Sequence, residues 1–566
     1  MIGERGARLF LAALSLTLVT LSGTLCLSSP FWGDQALFTV IARELSKGAV
    51  LYRDLFDIKQ PGIFGFYVIG GSLFGFTENG IHLFELLYWI GFSVLATPML
   101  RPYFATHWAA ALVPAFTIAV YYLYAGLLDL TQIEILVGFP LLLAWWLMDG
   151  AEPATRRGLG RYAGAGLAAA AVVLLKYLYV LIVLAFLGQA LFRLRRRGLA
   201  TADVTLCLTA FAAGLSAPLL VVFAYFAHYG QLGRIWWAYF EMAPAAHMLT
   251  PRPLRYLMDG ARRFMIGHAP FLLLAVVGSA RGLQEPHPLR ARLITAMIHW
   301  IVVGAVAFIG LQGWPEYKWP LFTIPVGVLA VVGVEALWRE AARSRWRSRT
   351  GHVAVAASSA VFACWISAPV PHVQTRLLGA LLIGAACALG KELRGNGMQH
   401  AITYALSGTI GVCVGLAAIG PVNKIRVVGS YKFGVTSDAR TRLQLALSEA
   451  HRAADADLNS LRLANPLPGP LHVFGHQILL LRAGRSPAGT IAGWGPEFLD
   501  ERAWREMYSG LRSTRPPYIV VDPANGAFVR RRYPAIMNWI DATYTEAFVG
   551  ASGTWYVRRE DTPPRS

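Results

Sequence analysis

Long apolar stretches recur along this chain, and they constrain its fold more than any other feature. A helix needs about 20 apolar residues to cross the hydrocarbon core of a bilayer, where backbone polar groups cannot go unpaired. Hydrophobic residues make up 55% of the chain, which is typical of a polytopic helical membrane protein. Thirteen spans are predicted, at approximately 8–28, 81–100, 106–124, 130–148, two within 162–192, 203–227, 264–280, 293–312, 318–338, 352–369, 375–390 and 401–420.

The stretch 162–192 is basic at both ends, with arginines just before and just after it. Because Lys and Arg favour the cytoplasmic side of a membrane, both ends are expected on that side. A helix rises about 1.5 Å per residue, so the stretch is long enough for two short helices. We therefore predict a turn at Lys176 and Tyr177 on the opposite side.

The basic residues also indicate which side of the membrane each loop occupies. The formal net charge is +19, and Lys and Arg gather in short loops between the apolar stretches. This is a topology signal, and it argues against nucleic acid as a partner. It predicts a multi-pass protein of the cell membrane with a cytoplasmic N-terminus. The long loops 29–80 and 228–263 and the C-terminal part would then be extracytoplasmic.

From about Val422 onward the chain is no longer apolar enough to span a membrane. HVFG at 472–475 and YIVVD at 518–522 are typical of short buried strands. LDERAWREMYSGLRS has the periodicity of an amphipathic helix, and YTEAFVG with GTWYVRR indicates a terminal hairpin. We predict an all-α membrane domain at 1–421 and a small extracytoplasmic α/β domain at 422–566.

The first long loop, which contains FWGDQALFTVIARELSKGAVLYRDLFDIKQPG, places several charges beside an apolar span. Asp34 precedes a run with helical spacing, where a carboxylate can act simply as a helix cap. Asp54, Asp57 and Lys59 precede a proline and a second amphipathic run. Both runs are predicted to be interfacial helices, which would place these charges near lipid headgroups.

Two further acids lie at the start of the fourth span, in GLLDLTQIEILVGF. Asp129 is at its outer end, and Glu134 lies deeper. A carboxylate at that depth is costly and normally faces a partner or a watery cavity. Glu134 is therefore a candidate functional residue, with a structural salt bridge as the alternative. The candidate cationic partners are Lys59, Lys176, Lys318 and the arginines at 252, 255, 262 and 263.

These motifs follow one another in a definite order over about residues 8–340. Gly-Asp in the first loop and an amphipathic helix come before YRDLFDIKQPG. A second amphipathic helix, TQIE and YKWPLFTIP follow. This order resembles the GT-C superfamily of membrane glycosyltransferases, most of all its protein O-mannosyltransferase and aminoarabinose transferase branch. The resemblance implies a GT-C-like fold of about thirteen transmembrane helices with an outer α/β domain.

The resemblance also implies roles for individual residues. In that family the acid after the first span is the catalytic base, which corresponds to Asp34 here. The family's Lys-Pro-Pro element, which holds donor phosphate, corresponds to Lys59, Gln60 and Pro61, with Gln60 in place of the usual proline. The family's second acidic position falls at either Asp129 or Glu134. A late contact to the donor corresponds to Tyr317 and Lys318.

The chemistry of such a transfer suits these residue types. Transfer from a polyprenyl-phosphate sugar breaks an anomeric C–O bond through an oxocarbenium-like state. A carboxylate must take a proton from the acceptor, and cations must stabilise the departing phosphate. Asp34 fits the first task, and Lys59, Lys318 and Arg255 fit the second. Residues expected to contact the acceptor or support the site are Asp54, Asp57 and Gln60.

The predicted activity is therefore inverting transfer of a hexose or pentose to an acceptor hydroxyl on the extracytoplasmic face. The expected partners are a polyprenyl-phosphate-linked sugar, membrane lipids and an acceptor that could be a glycan, a lipid or a protein. Asp34 and either Glu134 or Asp129 could share a divalent cation with phosphate oxygens, although nothing in their spacing requires one. The alternative is a transporter or flippase of a charged, lipid-linked substrate.

Overall fold

A computed structural model describes residues 4–126, 128–152, 155–245, 254–285, 287–310, 316–343, 451–461 and 468–561. Helices dominate this part of the chain, and four short strands near its end form one sheet. The α-helices before residue 344 are α1 (Glu4–Thr24), α2 (Gly33–Ser46), α3 (Pro61–Phe74), α4 (Glu78–Leu100), α5 (Val120–Tyr124), α6 (Ile133–Leu136), α7 (Gly138–Asp149), α8 (Arg156–Lys176), α9 (Val180–Arg196), α10 (Thr201–His228), α11 (Leu232–Trp236), α12 (Leu254–Gln284), α13 (Pro288–Gly310) and α14 (Thr323–Arg343).

Among the described residues, six helical stretches are long and apolar enough to cross a membrane. They support the predicted membrane protein, whereas the total of thirteen spans stays a prediction. The predicted spans 352–369, 375–390 and 401–420 and the boundary at 421/422 lie outside the described residues. The six stretches are Arg5–Thr24, Glu78–Tyr103, Arg156–Arg196, Thr201–His228, Pro288–Ala307 and Tyr317–Arg339.

The stretch Arg156–Arg196 is a helical hairpin, as its basic ends predicted. The backbone of Lys176 is extended, with φ −162° and ψ 104°, so α8 ends there and α9 begins at Val180. Arg161 near the start of α8 donates to the carbonyl of Trp146 at 2.8 Å, and Arg193 near the end of α9 pairs with Asp149. Both hairpin ends therefore lie beside the end of α7, and the predicted turn at Lys176 and Tyr177 is confirmed.

The two amphipathic runs of the first loop are also helical. α2 is enclosed along most of its length, with Phe38, Val40 and Ile41 almost fully buried. α3 begins at Pro61, which has no N–H to leave unpaired in the first turn. α2 is therefore an internal element of the protein rather than a helix lying freely on a lipid surface.

The C-terminal part forms the predicted α/β unit. Strand β1 (Leu471–Phe474) pairs in parallel with β2 (Tyr518–Val521), β2 is antiparallel to β4 (Gly553–Arg558), and β4 is antiparallel to β3 (Tyr544–Gly550). Both predicted strands and the terminal hairpin are confirmed. The unit also contains the helices α15 (Ile478–Ala483), α16 (Glu501–Thr514), α17 (Pro523–Arg532) and α18 (Pro534–Thr543).

This unit docks on α2 and on the segment after α10. Ser486 donates to the carboxylate of Glu44 in α2 at 2.7 Å, and the backbone N–H of Phe56 donates to the carbonyl of Thr490 at 2.9 Å. Trp237 donates to Asp500 at 2.9 Å. The first loop, the segment after α10 and the α/β unit therefore lie at the same end of the helices, as the charge pattern predicted. Which side of a membrane this end faces stays a prediction.

Helices α8 and α10 approach each other through two glycines. A Cβ atom on Gly166 would lie 2.1 Å from the carbonyl oxygen of Phe211, and one on Gly214 would lie 1.9 Å from that of Ala163. Close backbone approach through small residues is a common way for helices to associate in membranes, where apolar burial gives little drive. The two glycines thus set how closely the hairpin packs on α10.

We expect Gly214→Ala to destabilise the protein by about 1–3 kcal/mol, because the added methyl group would force α8 and α10 apart. The measurement is the thermal unfolding midpoint of the purified protein in detergent. Gly188→Ala in α9 is the matched control, since a Cβ there would meet no atom within 4 Å. Equal midpoints for the two variants would contradict this account of the packing.

Candidate functional site

A cavity of about 760 Å³ lies where the membrane helices meet the α/β unit. Its walls come from the start of α2, the loop before α3, the turn between α8 and α9, and the α/β unit. Several residues singled out from the sequence lie together in its lining. These are Asp34, Asp57, Lys59, Gln60, Lys176, Tyr317 and Lys318.

Asp34 lies in the first turn of α2 and is not the residue that caps it. The residue before the helix is Trp32, whose backbone N–H donates to the side-chain oxygen of Gln35 at 2.6 Å. The side-chain amide of Gln35 in turn donates to the carbonyl of Leu130. The carboxylate of Asp34 instead accepts a hydrogen bond from the indole N–H of Trp494 at 2.8 Å. The capping role that the sequence suggested for Asp34 is therefore performed by Gln35. Asp34 lines the cavity.

Asp57 and Lys59 form a compact turn ahead of α3. The carboxylate of Asp57 accepts the backbone N–H of Lys59 at 2.8 Å, and the hydroxyl of Tyr52 donates to the carbonyl of Lys59 at 2.8 Å. Burial raises the pKa of Asp57 to about 6, although the nearby Lys59 charge opposes the rise. Burial alone would favour the neutral amine of Lys59, but the nearby Tyr317 and the carboxylates of Asp34 and Asp57 outweigh it and hold its pKa above the ordinary value. Lys59 is therefore charged at neutral pH.

Gln60, the departure from the family's usual proline, is the residue immediately before α3. It is buried and its backbone is extended, with φ −71° and ψ 156°. A proline could also adopt this φ. The loop therefore follows a path that does not depend on the substitution, and Gln60 is part of the cavity lining.

Glu134 lies just behind the cavity wall and pairs with Lys176. The two side chains are 2.6 Å apart, and the Glu134 side chain is only 2% exposed. The hydroxyl of Tyr179 is 3.5 Å from the same carboxylate oxygen. Lys59 and Lys318 are also near enough to interact electrostatically with Glu134. These contacts agree with the salt-bridge alternative. Glu134 compensates the positive charge of a cluster of lysines.

Three other candidates lie away from the cavity lining formed by the described residues. Asp129 accepts the backbone N–H of Gly126 at 2.6 Å and closes a turn. Asp54 accepts the N–H of Val50 at 2.7 Å and pairs with Arg53, also at 2.7 Å. Arg255 is exposed, with its guanidinium 5.4 Å from the centre of the Tyr256 ring. In that region Tyr256 reaches the cavity instead.

Glu85, in the apolar stretch IHLFELL of α4, is a buried acid that the sequence analysis overlooked. Its carboxylate accepts the hydroxyls of Tyr121 at 2.6 Å and Thr131 at 2.8 Å, and the N–H of Thr131 at 3.2 Å. These bonds hold Thr131 at φ 53°, a conformation that β-branched residues rarely adopt. The sequence feature that could have identified Glu85 is an acidic residue within an apolar helix. Glu85 thereby fixes the turn that leads into Glu134.

The second group overlooked comes from the α/β unit, which contributes one wall of the cavity. Trp494, Glu497 and Phe498 lie between β1 and α16, and Asn525 lies at the start of α17. Nothing local in the sequence marks these residues, because only the docking of the unit on α2 brings them to Asp34.

Metal binding was considered for Asp34 and Glu134. Among the described residues, no group of three or more His, Cys, Asp or Glu side chains is close enough to hold a metal ion. Glu134 is already committed to Lys176. A cation shared by the two acids stays an untested prediction.

No protein-family model matches the chain, and no curated protein matches its sequence. Solved structures do resemble it. ArnT from Cupriavidus metallidurans bound to undecaprenyl phosphate has a TM-score of 0.52 at 14% identity, over 98% of this chain and 99% of that one. The chain has the GT-C fold.

A second GT-C structure is less similar. It is the archaeal oligosaccharyltransferase AglB from Archaeoglobus fulgidus, in complex with an inhibitory peptide and a dolichol-phosphate. Its TM-score is 0.37 at 12% identity, over 98% of this chain and 75% of that one. The GT-C-like fold that the order of motifs implied is confirmed by the similarity to ArnT.

We expect Glu134→Gln to destabilise the protein by about 1–3 kcal/mol, because Lys176, whose side chain is 18% exposed at the cavity, would lose its charged partner. Lys176→Gln should cost less, since Lys59 and Lys318 would still face Glu134. The double variant Glu134→Gln, Lys176→Gln should recover part of the loss. Thermal unfolding midpoints in detergent measure all three. A Glu134→Gln variant as stable as the unmodified protein would contradict this description.

Proposed function

We propose that this protein transfers a monosaccharide from a polyprenyl-phosphate carrier to an acceptor hydroxyl on the extracytoplasmic face, with inversion. The observation that carries the proposal is one cavity in which a carboxylate, Asp34, faces the lysines 59, 176 and 318. Such a transfer needs a proton acceptor on one side of the sugar and positive charge on the other. The GT-C fold supports this general kind of reaction.

Asp34 is proposed as the general base. The acceptor oxygen would form a bond to the anomeric carbon while its proton moves to the Asp34 carboxylate. Asp34 lies at the N-terminal end of a helix, where the helix dipole attracts negative charge. Its hydrogen bond with Trp494 uses one carboxylate oxygen, Oδ1. The second oxygen, Oδ2, would take the proton.

The three lysines are proposed to hold the phosphate. As the anomeric C–O bond breaks, its electron pair stays on the phosphate oxygen, and the negative charge there grows. Cations placed beforehand around that oxygen stabilise the charge without reorganisation. Lys59 is fixed by Asp57 and Tyr52 through its backbone, and Lys176 by Glu134 through its side chain. The lysines would therefore be in place before the donor arrives.

Apolar residues supply a path for the start of the lipid chain. Leu128, Ile133, Leu178 and Met242 line the same cavity, on elements that join or belong to the membrane helices. A polyprenyl phosphate has a charged head and an apolar tail, so its binding site must combine the two kinds of lining. A nucleotide sugar would not require an apolar wall. The lining therefore favours a lipid-linked donor.

We expect Asp34→Asn to lower turnover by about 100- to 10,000-fold, the range for loss of a general base, and to leave donor binding nearly unchanged. Purified protein in detergent would be incubated with a panel of polyprenyl-phosphate sugars, and release of polyprenyl phosphate measured. Asp203→Asn is the matched control, because Asp203 is also an acid in the first turn of a helix, α10. It should leave turnover unchanged.

Two results of that experiment would count against the proposal. If Asp34→Asn releases polyprenyl phosphate at the rate of the unmodified protein, Asp34 is not the base. If no donor of the panel is ever cleaved, but a lipid-linked sugar crosses the bilayer of a proteoliposome intact, the protein is a flippase. The second outcome is the alternative that the sequence analysis left open.

A pH dependence follows from the raised pKa of Asp57. Near pH 8 its carboxylate is charged and repels phosphate, whereas near pH 5 it is protonated, because its pKa is about 6. Asp57→Asn should therefore bind undecaprenyl phosphate about three- to tenfold more tightly than the unmodified protein at pH 8. At pH 5 the two should bind alike.

The measurement is the ratio of the dissociation constants of Asp57→Asn and the unmodified protein for undecaprenyl phosphate, taken between pH 5 and pH 8. Titration of the phosphate affects both constants equally and cancels in this ratio. Asp203→Asn again serves as the control, with a ratio that should not change with pH. A ratio for Asp57→Asn that stays constant between pH 5 and pH 8 would contradict the assignment.

A further inference from the structure

In the part of the α/β unit that the structure describes, Trp494 donates a hydrogen bond to the candidate base. Its indole Nε1 donates to Oδ1 of Asp34 at 2.8 Å, across 460 positions of the sequence. An indole N–H can donate a hydrogen bond but cannot accept one. Trp494 therefore cannot take a proton from a substrate, yet it can fix how the carboxylate is turned.

The indole ring is held on several sides. Trp32 packs edge-on against it, with ring centres 6.0 Å apart and planes at 84°, and His476 packs at 5.7 Å. Burial lowers the pKa of His476 to about 3. The imidazole is therefore neutral at physiological pH and packs against Trp494 as an uncharged ring. His476 is itself close to His451, which bonds the carbonyl of Phe31 at 3.2 Å. The ring of Trp494 thus has little freedom to rotate.

Gly33 opens the space that the ring occupies. A Cβ atom at this position would lie 1.9 Å from Cζ2 of Trp494 and 2.1 Å from Cη2. Gly33 is the first residue of α2 and immediately precedes Asp34. The chain therefore omits a side chain at the position where the indole passes over the helix N-terminus to reach the carboxylate.

We propose that Trp494 is a positioning residue for Asp34, through which the α/β unit sets the orientation of the base. With Oδ1 held by the indole, Oδ2 would remain to take the proton of the acceptor hydroxyl. This inference rests on the proposed role of Asp34. It assigns the α/β unit a part in turnover that is separate from its docking on α2.

The test is Trp494→Phe, which keeps an aromatic ring beside Trp32 and His476 and removes the N–H donor together with part of the indole ring. Without the indole donor the Asp34 carboxylate would be free to turn, and a small misplacement of a catalytic group can cost about 100-fold, so kcat should fall by about 10- to 100-fold. The KM for a polyprenyl-phosphate sugar and the affinity for undecaprenyl phosphate should stay within about twofold, because the lysine side of the cavity is untouched.

Trp555→Phe is the matched control. Trp555 also lies in the α/β unit and also donates to a carboxylate, that of Asp457 at 3.1 Å, but it does not line the cavity. Trp555→Phe should lower the unfolding midpoint without a specific loss of kcat. If Trp494→Phe behaves in the same way, or leaves kcat unchanged, Trp494 only docks the unit and the positioning role is overturned.

Gly33→Ala provides a second route to the same carboxylate, since the added methyl group would displace the indole ring. It should lower kcat in the manner of Trp494→Phe. Because both changes break the same hydrogen bond, the double variant should lose far less than the product of the two single effects. Fully multiplicative losses would mean that the glycine and the tryptophan act independently, against the proposal.

A readout that needs no activity separates this proposal from the proposed function. Protein labelled with 5-fluorotryptophan gives a ¹⁹F resonance for Trp494, assigned by its absence from Trp494→Phe. That resonance should shift in Asp34→Asn, while the Trp555 resonance should not. If it does not shift, the contact is absent and the inference fails, whatever the enzyme does. If it shifts but no donor is ever cleaved, the proposed function has failed instead.

Discussion

Charge buried beside apolar helices is the constraint on which this structure depends. In a setting with little water, a lysine or a carboxylate is stable only when an opposite charge or hydrogen-bonding groups surround it. The pair formed by Glu134 and Lys176 meets this requirement at the wall of the cavity. It can form because α8 stops at Lys176 and the chain turns back. The end of α8 at Lys176 therefore accounts for both the helical hairpin and the place of Lys176 in the lysine cluster.

A second buried acid supports this arrangement from behind. Glu85 holds Thr131 in a left-handed conformation, and the adjacent carbonyl of Leu130 accepts the side chain of Gln35. Gln35 is the neighbour of Asp34 in α2. A chain of hydrogen bonds thus runs from the middle of α4 to the helix that carries the proposed base. This connection explains how a cavity formed by many separate elements can hold its side chains in fixed positions.

The α/β unit completes the cavity and does more than cover it. It supplies the wall with Trp494, Glu497 and Asn525, whereas the membrane helices and their loops supply the lysines. Under the proposed function, donor and acceptor would meet at the boundary between the two parts.

The sequence alone determined the helical membrane architecture, the turn at Lys176, the small sheet and most of the cavity's charged residues. Apolar length, basic flanks and strand patterns are local signals, and the cavity's acids and lysines stand out against an apolar background. The tertiary structure decided which acids face the cavity: Asp34 and Asp57 line it, while Glu134 pairs behind its wall. It also brought Trp494 to Asp34. A contact between residues so far apart in the chain depends on how two folded parts dock, and no local pattern encodes that.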